Sequence, residues 1–287
     1  MKLYTTFLAA LLALVPAMGQ GEGMQYTLFT ASTKGTYYQF GQDIQRACPE
    51  LKVDIVSTHG SLDNINNLVQ IPKTNKGYRF AFAQNDVVVS VLGPDKQSSV
   101  SVKTISPLYF EDISVLVSTS SNIASIKDLD GKKVSIGVVG SGNWFTANAL
   151  RSQLGLSWKP VERLPEESIL SVITGEIDAM ILVTGHPFKL FTDLDEKMKG
   201  YVKLISLRDV ELNKSYITTK LPAKTYQWQD NVVELRSTPS LLIAATDVPP
   251  TAIKELVSCI IDKQAELQKW GHPRWKDVQF SNLKNIK

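Results

Sequence analysis

Two short segments of this sequence combine hydroxyl side chains with glycine directly after an apolar run. Ser32–Thr36 (STKGT) follows the run Tyr26–Thr30, and Gly140–Asn143 (GSGN) follows the run Lys132–Val138. Apolar residues at three- and four-residue intervals come after both segments, which predicts a helix after each loop. The first N–H groups of a helix lack an intrahelical acceptor and carry the positive end of its dipole. Each segment is therefore a candidate anion-binding loop, although the same residues would also serve as an ordinary helix cap.

Similar polar loops follow other predicted strands in the first half of the chain. Val53–Ser57 predicts a second strand, and Thr58–Ser61 leads from it into a helix that Ser61 could cap. Arg79–Ala83 predicts a third strand, which ends in Gln84–Asp86. Polar side chains thus follow three successive strands.

The order of elements repeats after residue 132. Lys159–Leu164 predicts a strand, Pro165 opens a helix, and Ile177–Val183 predicts a buried strand ending in Thr184–Pro187. Strands that alternate with helices predict parallel sheets covered by helices on both faces. In such sheets ligands bind beyond the carboxyl ends of the strands, where all these polar loops lie.

Two apolar segments connect the repeats. Ile113–Ser118 predicts a strand that passes from the first repeat to the second, and Ser240–Thr246 predicts the return crossing before a long helix over Thr251–Trp270. We therefore expect an α/β fold with lobe I at 20–116 plus 240–287 and lobe II at 117–239. The two crossings would form a hinge, and Ser32–Thr36 would face Gly140–Asn143 across a cleft.

The first nineteen residues differ from the rest of the chain. Lys2 precedes an apolar run at Phe7–Val15 that is too short to span a bilayer, and Ala17–Gly19 offers a small-x-small cleavage site. Residues 1–19 are therefore predicted to be a signal peptide that is cleaved near Gly19, which would direct export of the mature protein. A terminal anchor helix is the alternative.

Composition and charge exclude some functional classes. The 287 residues are 43% hydrophobic and 21% charged with a net charge of +3, as in an ordinary globular protein. No basic run or basic–aromatic alternation predicts a nucleic-acid partner. The glycines between residues 137 and 142 have the wrong spacing for a dinucleotide-binding loop, and no phosphate-binding Gly-Lys-Ser/Thr sequence occurs. No cofactor is therefore expected.

Cysteine and histidine are too sparse to predict a metal site. Cys48 and Cys259 could form a disulfide in an oxidising compartment, or remain as two buried thiols. His59 and His186 fall in loops of opposite lobes, but a metal needs three or four ligands. The members of a Ser–His–Asp triad meet only in space, so the sequence leaves an enzyme open as an alternative, yet no G-x-S-x-G nucleophile motif is present.

The loop motifs, taken in order, resemble the solute-binding proteins of TAXI-type TRAP transporters, within the NMT1-like type II binding-protein superfamily. The motifs are Ser32–Tyr38, Thr58–Asn64, Gln84–Asp86, Leu108–Glu111, Ser125–Val134, Gly140–Asn143, Gly175–Ala179, Gly185–Pro187 and Leu221–Tyr226. The resemblance implies a periplasmic-binding-protein type II fold: two α/β lobes, a two-strand hinge and a ligand cleft between them. It also implies capture of a small anionic solute, for which we expect an acidic amino acid or a dicarboxylate, and its delivery to a TRAP-type membrane permease by a monomeric, non-enzymatic protein. Lys34, Asn143 and His59 depart from the family pattern at the expected pocket.

The candidate ligand-binding residues are those of the polar loops. They are Ser32, Thr33, Lys34, Gly35, Thr36, Tyr37, Thr58, Gly60, Ser61, Asn64, Gln84, Asp86, Glu111, Gly140, Ser141, Gly142, Asn143, Thr184 and His186. Uncharged hydrogen-bonding groups fix the orientation of a ligand, and either Asp86 or Glu111 could pair with a ligand ammonium or be a solvated carboxylate. A periplasmic enzyme and a ligand sensor on the same two-lobed fold are the alternative functions.

Overall fold

The computed structural model describes residues 24–70, 77–93 and 102–279. The predicted signal peptide lies outside these ranges. Within them, no helix combines the length and the apolar character needed to cross a membrane.

Ten strands and eight helices make up the described chain, together with four short 3₁₀ turns. The strands are β1 (Gln25–Phe29), β2 (Asp54–Val56), β3 (Gly77–Gln84), β4 (Val102–Ser118), β5 (Lys133–Ser135), β6 (Lys159–Val161), β7 (Ala179–Thr184), β8 (Val202–Ile205), β9 (Ile217–Leu221) and β10 (Val233–Ala245). The helices are α1 (Thr36–Ala47), α2 (Ser61–Gln70), α3 (Asn85–Leu92), α4 (Gly142–Gln153), α5 (Pro165–Ile173), α6 (Lys189–Thr192), α7 (Pro250–Asp262) and α8 (Gln264–Trp270).

The strands form one hydrogen-bonded sheet in the order β2-β1-β3-β10-β4-β7-β5-β6, with β8 paired to β4 and β9 paired to β10. β1 runs parallel to β2 and β3, and β5 runs parallel to β6 and β7. β4 and β10 are antiparallel to each other and to every other strand they pair with. The prediction of parallel strands therefore holds for the outer parts of the sheet, and the two central strands are antiparallel.

β4 and β10 are the two strands that join the lobes. The first half of β4 pairs with β10, and from Asp112 onward β4 pairs with β7. β10 pairs with β9 from Val233 and with β3 from Ser240. The predicted crossings lie inside these strands but are shorter than the strands themselves. Residues 233–236 also belong to β10, because the residues at 237–240 interrupt the apolar run without interrupting the strand.

The buried apolar residues form separate cores on the two sides of this crossing. One core consists of residues within 26–109 and 241–278. Two further clusters consist of residues within 113–235. Burying apolar area stabilises each part independently, by about 25 cal/mol per Å². We call these parts lobe I and lobe II; the residue boundaries given above stay a prediction.

Two helical regions differ from the sequence prediction. α3 begins at Asn85, directly after β3, where we expected only a polar strand end. The predicted helix over 251–270 is two helices, α7 and α8, with Lys263 between them. The apolar periodicity did not reveal this break because buried Leu256, Ile260 and Leu267 continue one face across both helices.

A disulfide bond joins Cys48 to Cys259, with 6.1 Å between the Cα atoms and 211 residues between the two positions. Cys48 ends α1 and Cys259 lies on α7. Of the two alternatives left by the sequence, the structure shows the bridged one. The bond ties the helix that opens lobe I to the helix that returns to it near the end of the chain.

Candidate functional site

A cavity lies between the two lobes at the carboxyl ends of the strands. The centres of water molecules can occupy about 110 Å³ of this cavity. A single water needs roughly 10–15 Å³ of such space, so the cavity has room for a small solute in place of several waters. Residues of both lobes line it: Ala31, Ser32, Lys34, Gly35, Thr36, Tyr37, Thr58, His59, Gly60, Ser61, Gln84, Glu111, Gly137, Val138, Ser141, Gly142, Asn143, Leu164, Pro165, Leu182, Val183, Thr184 and Phe188.

The first five helices of the described chain, α1 to α5, begin at this cavity. The residues at the starts of α1, α2, α3, α4 and α5 all contribute to its wall: Gly35 and Thr36, Gly60 and Ser61, Gln84, Ser141 and Gly142, and Leu164 and Pro165. Positive dipole ends therefore converge on one space, with N–H groups that have no partner inside their helix at the starts of α1 to α4, while Pro165 at the start of α5 has no N–H. The two anion-binding loops expected from the sequence belong to this larger set.

The lobes also contact each other directly beside the cavity. The backbone N–H of Asp63 donates to the carbonyl oxygen of Gly140 over 3.0 Å. Thr36 Oγ1 donates to the carbonyl oxygen of Gly185 over 3.1 Å and lies 3.2 Å from Thr184 Oγ1. Ser32–Thr36 and Gly140–Asn143 thus border the same cavity. The carbonyl of Gly140 also contacts the first turn of α2 in the other lobe. The structure is that of a closed cleft.

Gly142 makes this close approach possible. A Cβ atom at this position would lie 1.4 Å from Gln84 Oε1 and 2.9 Å from Ser61 Oγ, both on lobe I. Any side chain here would therefore separate the lobes or displace Gln84. Gly137 is constrained within lobe II, because its φ of +82° is strained for other residues and a Cβ would lie 2.7 Å from Asn143 Cβ.

Several hydroxyl groups predicted to bind a ligand also hold the loops in place. Ser61 Oγ accepts a hydrogen bond from the N–H of Gln84 over 3.1 Å. The prediction that Ser61 caps α2 was wrong, because the helix begins at Ser61 itself. Ser141 is the cap of α4, accepting from the N–H of Trp144 over 3.1 Å and donating to the carbonyl of Val138. Both serines also line the cavity.

Thr58 and Asn64 stabilise the loop that precedes α2. Thr58 Oγ1 accepts from the N–H of Gly60 over 3.0 Å and donates to Asn64 Oδ1 over 2.7 Å. The buried amide of Asn64 donates to the carbonyls of Thr30, which directly follows β1, and of Phe82, which lies near the end of β3. Asn64 therefore holds the ends of β1 and β3 together and does not line the cavity.

Five of the predicted ligand-binding residues lie outside the cavity wall. They are Thr33, Asn64, Asp86, Gly140 and His186. Thr33 is exposed, and Gly140 contacts the other lobe through its carbonyl oxygen. Asp86 is 2% exposed and bonds to side chains of lobe II, which excludes a solvated carboxylate.

Glu111 lies in the cavity wall with 4% exposure and accepts a hydrogen bond from the Tyr37 hydroxyl over 2.5 Å. Burial raises the pKa of Glu111 to about 8, and the nearby carboxyl groups of Asp86 and Asp112 add to the shift. The pKa of Tyr37 lies well above its usual value, again chiefly because of burial. Glu111 is therefore mostly neutral at pH 7, and the wall carries a carboxylic acid rather than a carboxylate.

Two basic side chains lie at the edge of the cavity. Lys34 is exposed and contributes to the wall. The His59 side chain is 65% exposed, and its Nδ1 lies 3.7 Å from Asp63 Oδ2. The positive charge of Lys34 would attract an anion more weakly here than in a buried site, because water screens it.

His186 is part of the lobe II interior. Its Nε2 lies 2.7 Å from Ser114 Oγ, and its Nδ1 bonds to the Tyr226 hydroxyl. Burial lowers the pKa of His186 to about 4, so the ring is neutral at pH 7. Among the residues that line the cavity, no described serine or threonine hydroxyl bonds to a histidine, which is the contact that a hydroxyl nucleophile and its base would need.

The sequence did not single out the apolar part of the wall. It consists of Ala31, Val138, Leu164, Leu182, Val183 and Phe188. All six residues of β7 are buried, so the strand alternation that would separate a cavity face from a core face is absent. Only the position of these residues beside the polar loops could have suggested them.

Solved structures of low sequence identity share this fold. The arginine periplasmic binding protein of a Legionella pneumophila transport system matches with a TM-score of 0.53 and 12% identity over 89% of this chain and 100% of that one. A putative L-cystine ABC transporter from Listeria monocytogenes matches with a TM-score of 0.53 and 13% identity over 89% and 98%. XAC2383 from Xanthomonas citri bound to ATP matches with a TM-score of 0.54 and 10% identity over 91% and 93%.

These likenesses show the fold, which is the two-lobed type II fold of periplasmic binding proteins with a hinge of two strands. They do not specify a solute, since the neighbours bind different ones. The sequence itself matches the model of the NMT1-like family over residues 28–286. That match covers both lobes and every loop that borders the cavity, and the chain belongs to the NMT1-like family.

Proposed function

We propose that this protein is an extracytoplasmic solute-binding protein that captures a small carboxylate-bearing solute between its lobes and delivers it to a TRAP-type permease. Family membership and fold support the general role of solute binding. The observation that carries the finer proposal is the convergence of five helix N-termini on one interlobe cavity. Such ends bind anions through free N–H groups and the helix dipole.

The charges around the cavity also favour an anion. Glu111 is mostly protonated at pH 7, so it repels a carboxylate little and can donate a hydrogen bond to one. Lys34 adds a positive charge at the opening. Each charge-assisted hydrogen bond between a backbone N–H and a carboxylate contributes roughly 1.5–3 kcal/mol. A solute with one carboxylate at the helix starts and a second polar group near Glu111 fits this distribution.

An acidic amino acid and a dicarboxylate would treat Glu111 differently. An ammonium group placed against Glu111 favours its ionised form, so binding would release a proton from a group whose pKa is about 8. A dicarboxylate favours the protonated form and would release none. Calorimetry in two buffers with different ionisation enthalpies measures this proton count and separates the two solute classes.

Delivery to a permease implies the remaining parts of the proposal. We expect residues 1–19 to direct export, the mature monomer to work in the periplasm, and the closed form to dock on the permease. Closure of the two lobes by hinge motion would distinguish the loaded form from the empty one. No catalytic step and no cofactor enter this account.

A thermal-shift panel on the mature protein tests the binding step. Acidic amino acids and dicarboxylates should raise the melting temperature, because a ligand that binds only the folded state stabilises it by mass action. The corresponding amides, such as glutamine beside glutamate, serve as matched neutral controls. A panel in which no carboxylate shifts the melting temperature, or in which amides and acids shift it equally, would count against the proposal.

A further inference from the structure

We propose that Asp86 of lobe I holds the cleft closed through hydrogen bonds from Thr146 and Tyr216 of lobe II, and so sets solute retention without touching the solute. Asp86 is a positioning residue in this account. We refer to Gln84, Asp86, Thr146 and Tyr216 as the Asp86 network.

The contacts of the Asp86 network cross from one lobe to the other. Thr146 Oγ1 donates to Asp86 Oδ2 over 2.6 Å, and the Tyr216 hydroxyl donates to the same oxygen over 2.8 Å. Gln84 Nε2 donates to Thr146 Oγ1 over 2.9 Å. Thr146 thus accepts from one lobe I side chain and donates to another, so each group has a partner with suitable geometry.

The flanking residues show that the two sides of the network belong to different cores. Val87 and Val88, which follow Asp86, pack in the lobe I core. Ala147, which follows Thr146, and Tyr216 itself pack in the lobe II core. The Asp86 N–H also donates to Thr238 Oγ1 of β10, so Asp86 lies beside a strand that joins the lobes. In this proposal, opening of the cleft breaks the bonds from Thr146 and Tyr216 to Asp86, because each partner moves with its own lobe.

The network is buried in the closed form. Asp86 is 2% exposed, Thr146 0%, Tyr216 9% and Gln84 3%. Burial raises the pKa of Asp86, while the hydroxyls of Thr146 and Tyr216 favour its ionised form. An unpaired buried carboxylate is costly, so the two hydroxyls stabilise the closed arrangement specifically.

Gln84 connects the network to the cavity. Its side chain lines the cavity wall, and its Oε1 lies 3.3 Å from Ser61 Oγ at the start of α2. Asp86 stands behind Gln84 and outside the wall. A solute that contacts Gln84 therefore meets a side chain whose position depends on closure, which links occupancy of the cavity to the network.

The Asp63 amide reports closure without any solute. Its N–H donates to the carbonyl of Gly140 in the other lobe, so its hydrogen exchange measures opening of the cleft. The test compares exchange at Asp63 in the wild type, Tyr216→Phe, Thr146→Val and Thr146→Ser. Tyr201→Phe is the matched control, because Tyr201 is 55% exposed on lobe II.

We expect Tyr216→Phe and Thr146→Val to accelerate exchange at Asp63 by about ten-fold or more, the effect of losing one charge-assisted hydrogen bond. Thr146→Ser keeps the hydroxyl and should stay close to the wild type, as should Tyr201→Phe. Amides in the cores, such as those of Phe82 and Ile181, should be unchanged in all variants.

Three results would overturn the proposal. The Asp63 amide of the wild-type protein could exchange as fast as an unstructured peptide, which would mean that the network does not hold the free protein closed. The hydroxyl-deleting variants could match Tyr201→Phe. Exchange at the core amides could rise as much as at Asp63, which would make the network a support of the fold rather than of closure. The test needs no ligand, so it stands or falls independently of the proposed solute.

Discussion

The Tyr37 hydroxyl donates a hydrogen bond to Glu111 in the wall of the interlobe cavity. Tyr37 lies in the first turn of α1 and Glu111 lies near the middle of β4, one of the two strands that join the lobes. The bond therefore links a helix start that faces the cavity to the hinge. It also places a carboxylic acid where a solute would be held, and the protonation of that acid controls the charge of the site.

Glu111 should make the stability of the protein depend on pH. The pKa of Glu111 is about 8 in the folded protein, against 4.5 for an unperturbed glutamate in the unfolded chain, so the folded state binds the proton more tightly. Its neutral form is favourable below the unfolded pKa, and this contribution is lost as the pH rises from about 4.5 through about 8. Urea unfolding of Glu111→Gln at pH 5, 7 and 9 should therefore show a flatter stability profile than the wild type.

Glu211→Gln is the control for this experiment, because Glu211 is exposed. It should leave the wild-type profile in place. If Glu111→Gln and the wild type lose stability in parallel between pH 5 and pH 9, then Glu111 does not carry the shifted proton.

Gly142→Ala should prevent closure while leaving each lobe folded. Its Cβ would lie 1.4 Å from Gln84 Oε1, so the lobes must separate or Gln84 must leave its place in the Asp86 network. We expect solute affinity to fall by on the order of 100-fold, as when several contacts of a buried site are lost together. Small-angle scattering of the variant should give a larger radius of gyration than that of the wild type.

Gly200→Ala provides the comparison, since a Cβ there meets nothing within 4 Å. Its affinity and radius should match the wild type. Tight solute binding by Gly142→Ala would show that the close approach of Gln84 to α4 is not needed for capture.

Lys34→Gln should weaken the capture of anions modestly. Lys34 lies at the edge of the cavity but is exposed, so the contribution of its charge is screened and should amount to less than about 1 kcal/mol. We expect a loss of affinity of about two- to five-fold at low salt that shrinks as salt is added. Lys127→Gln, at an exposed site away from the cavity, should have no effect. Equal affinities of the two variants would make Lys34 an ordinary solvated lysine.

Loss of the disulfide should lower stability without changing solute affinity. The Cys48–Cys259 bond spans 211 residues of sequence and lies outside the cavity wall. Removing a native disulfide that closes a long loop costs roughly 2–5 kcal/mol in the free energy of unfolding. The double variant Cys48→Ser/Cys259→Ser should show this loss in chemical denaturation and an unchanged solute titration. Unchanged stability, or a large loss of affinity in a folded variant, would contradict this assignment.

Most of the order of strands and helices could be predicted, because periodicity and turn residues act locally, although α3 and the break between α7 and α8 were missed. The hydroxyl and glycine loops at Ser32–Thr36 and Gly140–Asn143 do border one cavity, as their positions after strands indicated. The full length of β10 could not be predicted, because Ser237–Ser240 is polar yet lies in the middle of the sheet. Its hydroxyls find partners only in the fold, as Ser237 does with Asp112.

The roles of individual site residues were harder to predict because they depend on contacts between distant segments. In the sequence, Asp86 and Glu111 are both carboxyl groups beside a predicted strand, and either could pair with a ligand ammonium. In the structure Glu111 faces the cavity and Asp86 joins the lobes. His186 lies in a loop that borders the cavity, yet Ser114 and Tyr226 hold its ring within lobe II. No local pattern distinguishes these outcomes.

The central claim is that the cavity binds a carboxylate at the helix starts between the lobes. Calorimetric titration of the mature protein with the acid that gives the largest thermal shift, and with the amide of that acid, tests it most directly. We predict saturable one-to-one binding of the acid, at least ten-fold weaker binding of the amide, and acid binding that is weaker by on the order of 100-fold in Gly142→Ala. Equal affinity for the acid and the amide, or an acid affinity that is unchanged in Gly142→Ala, would contradict it.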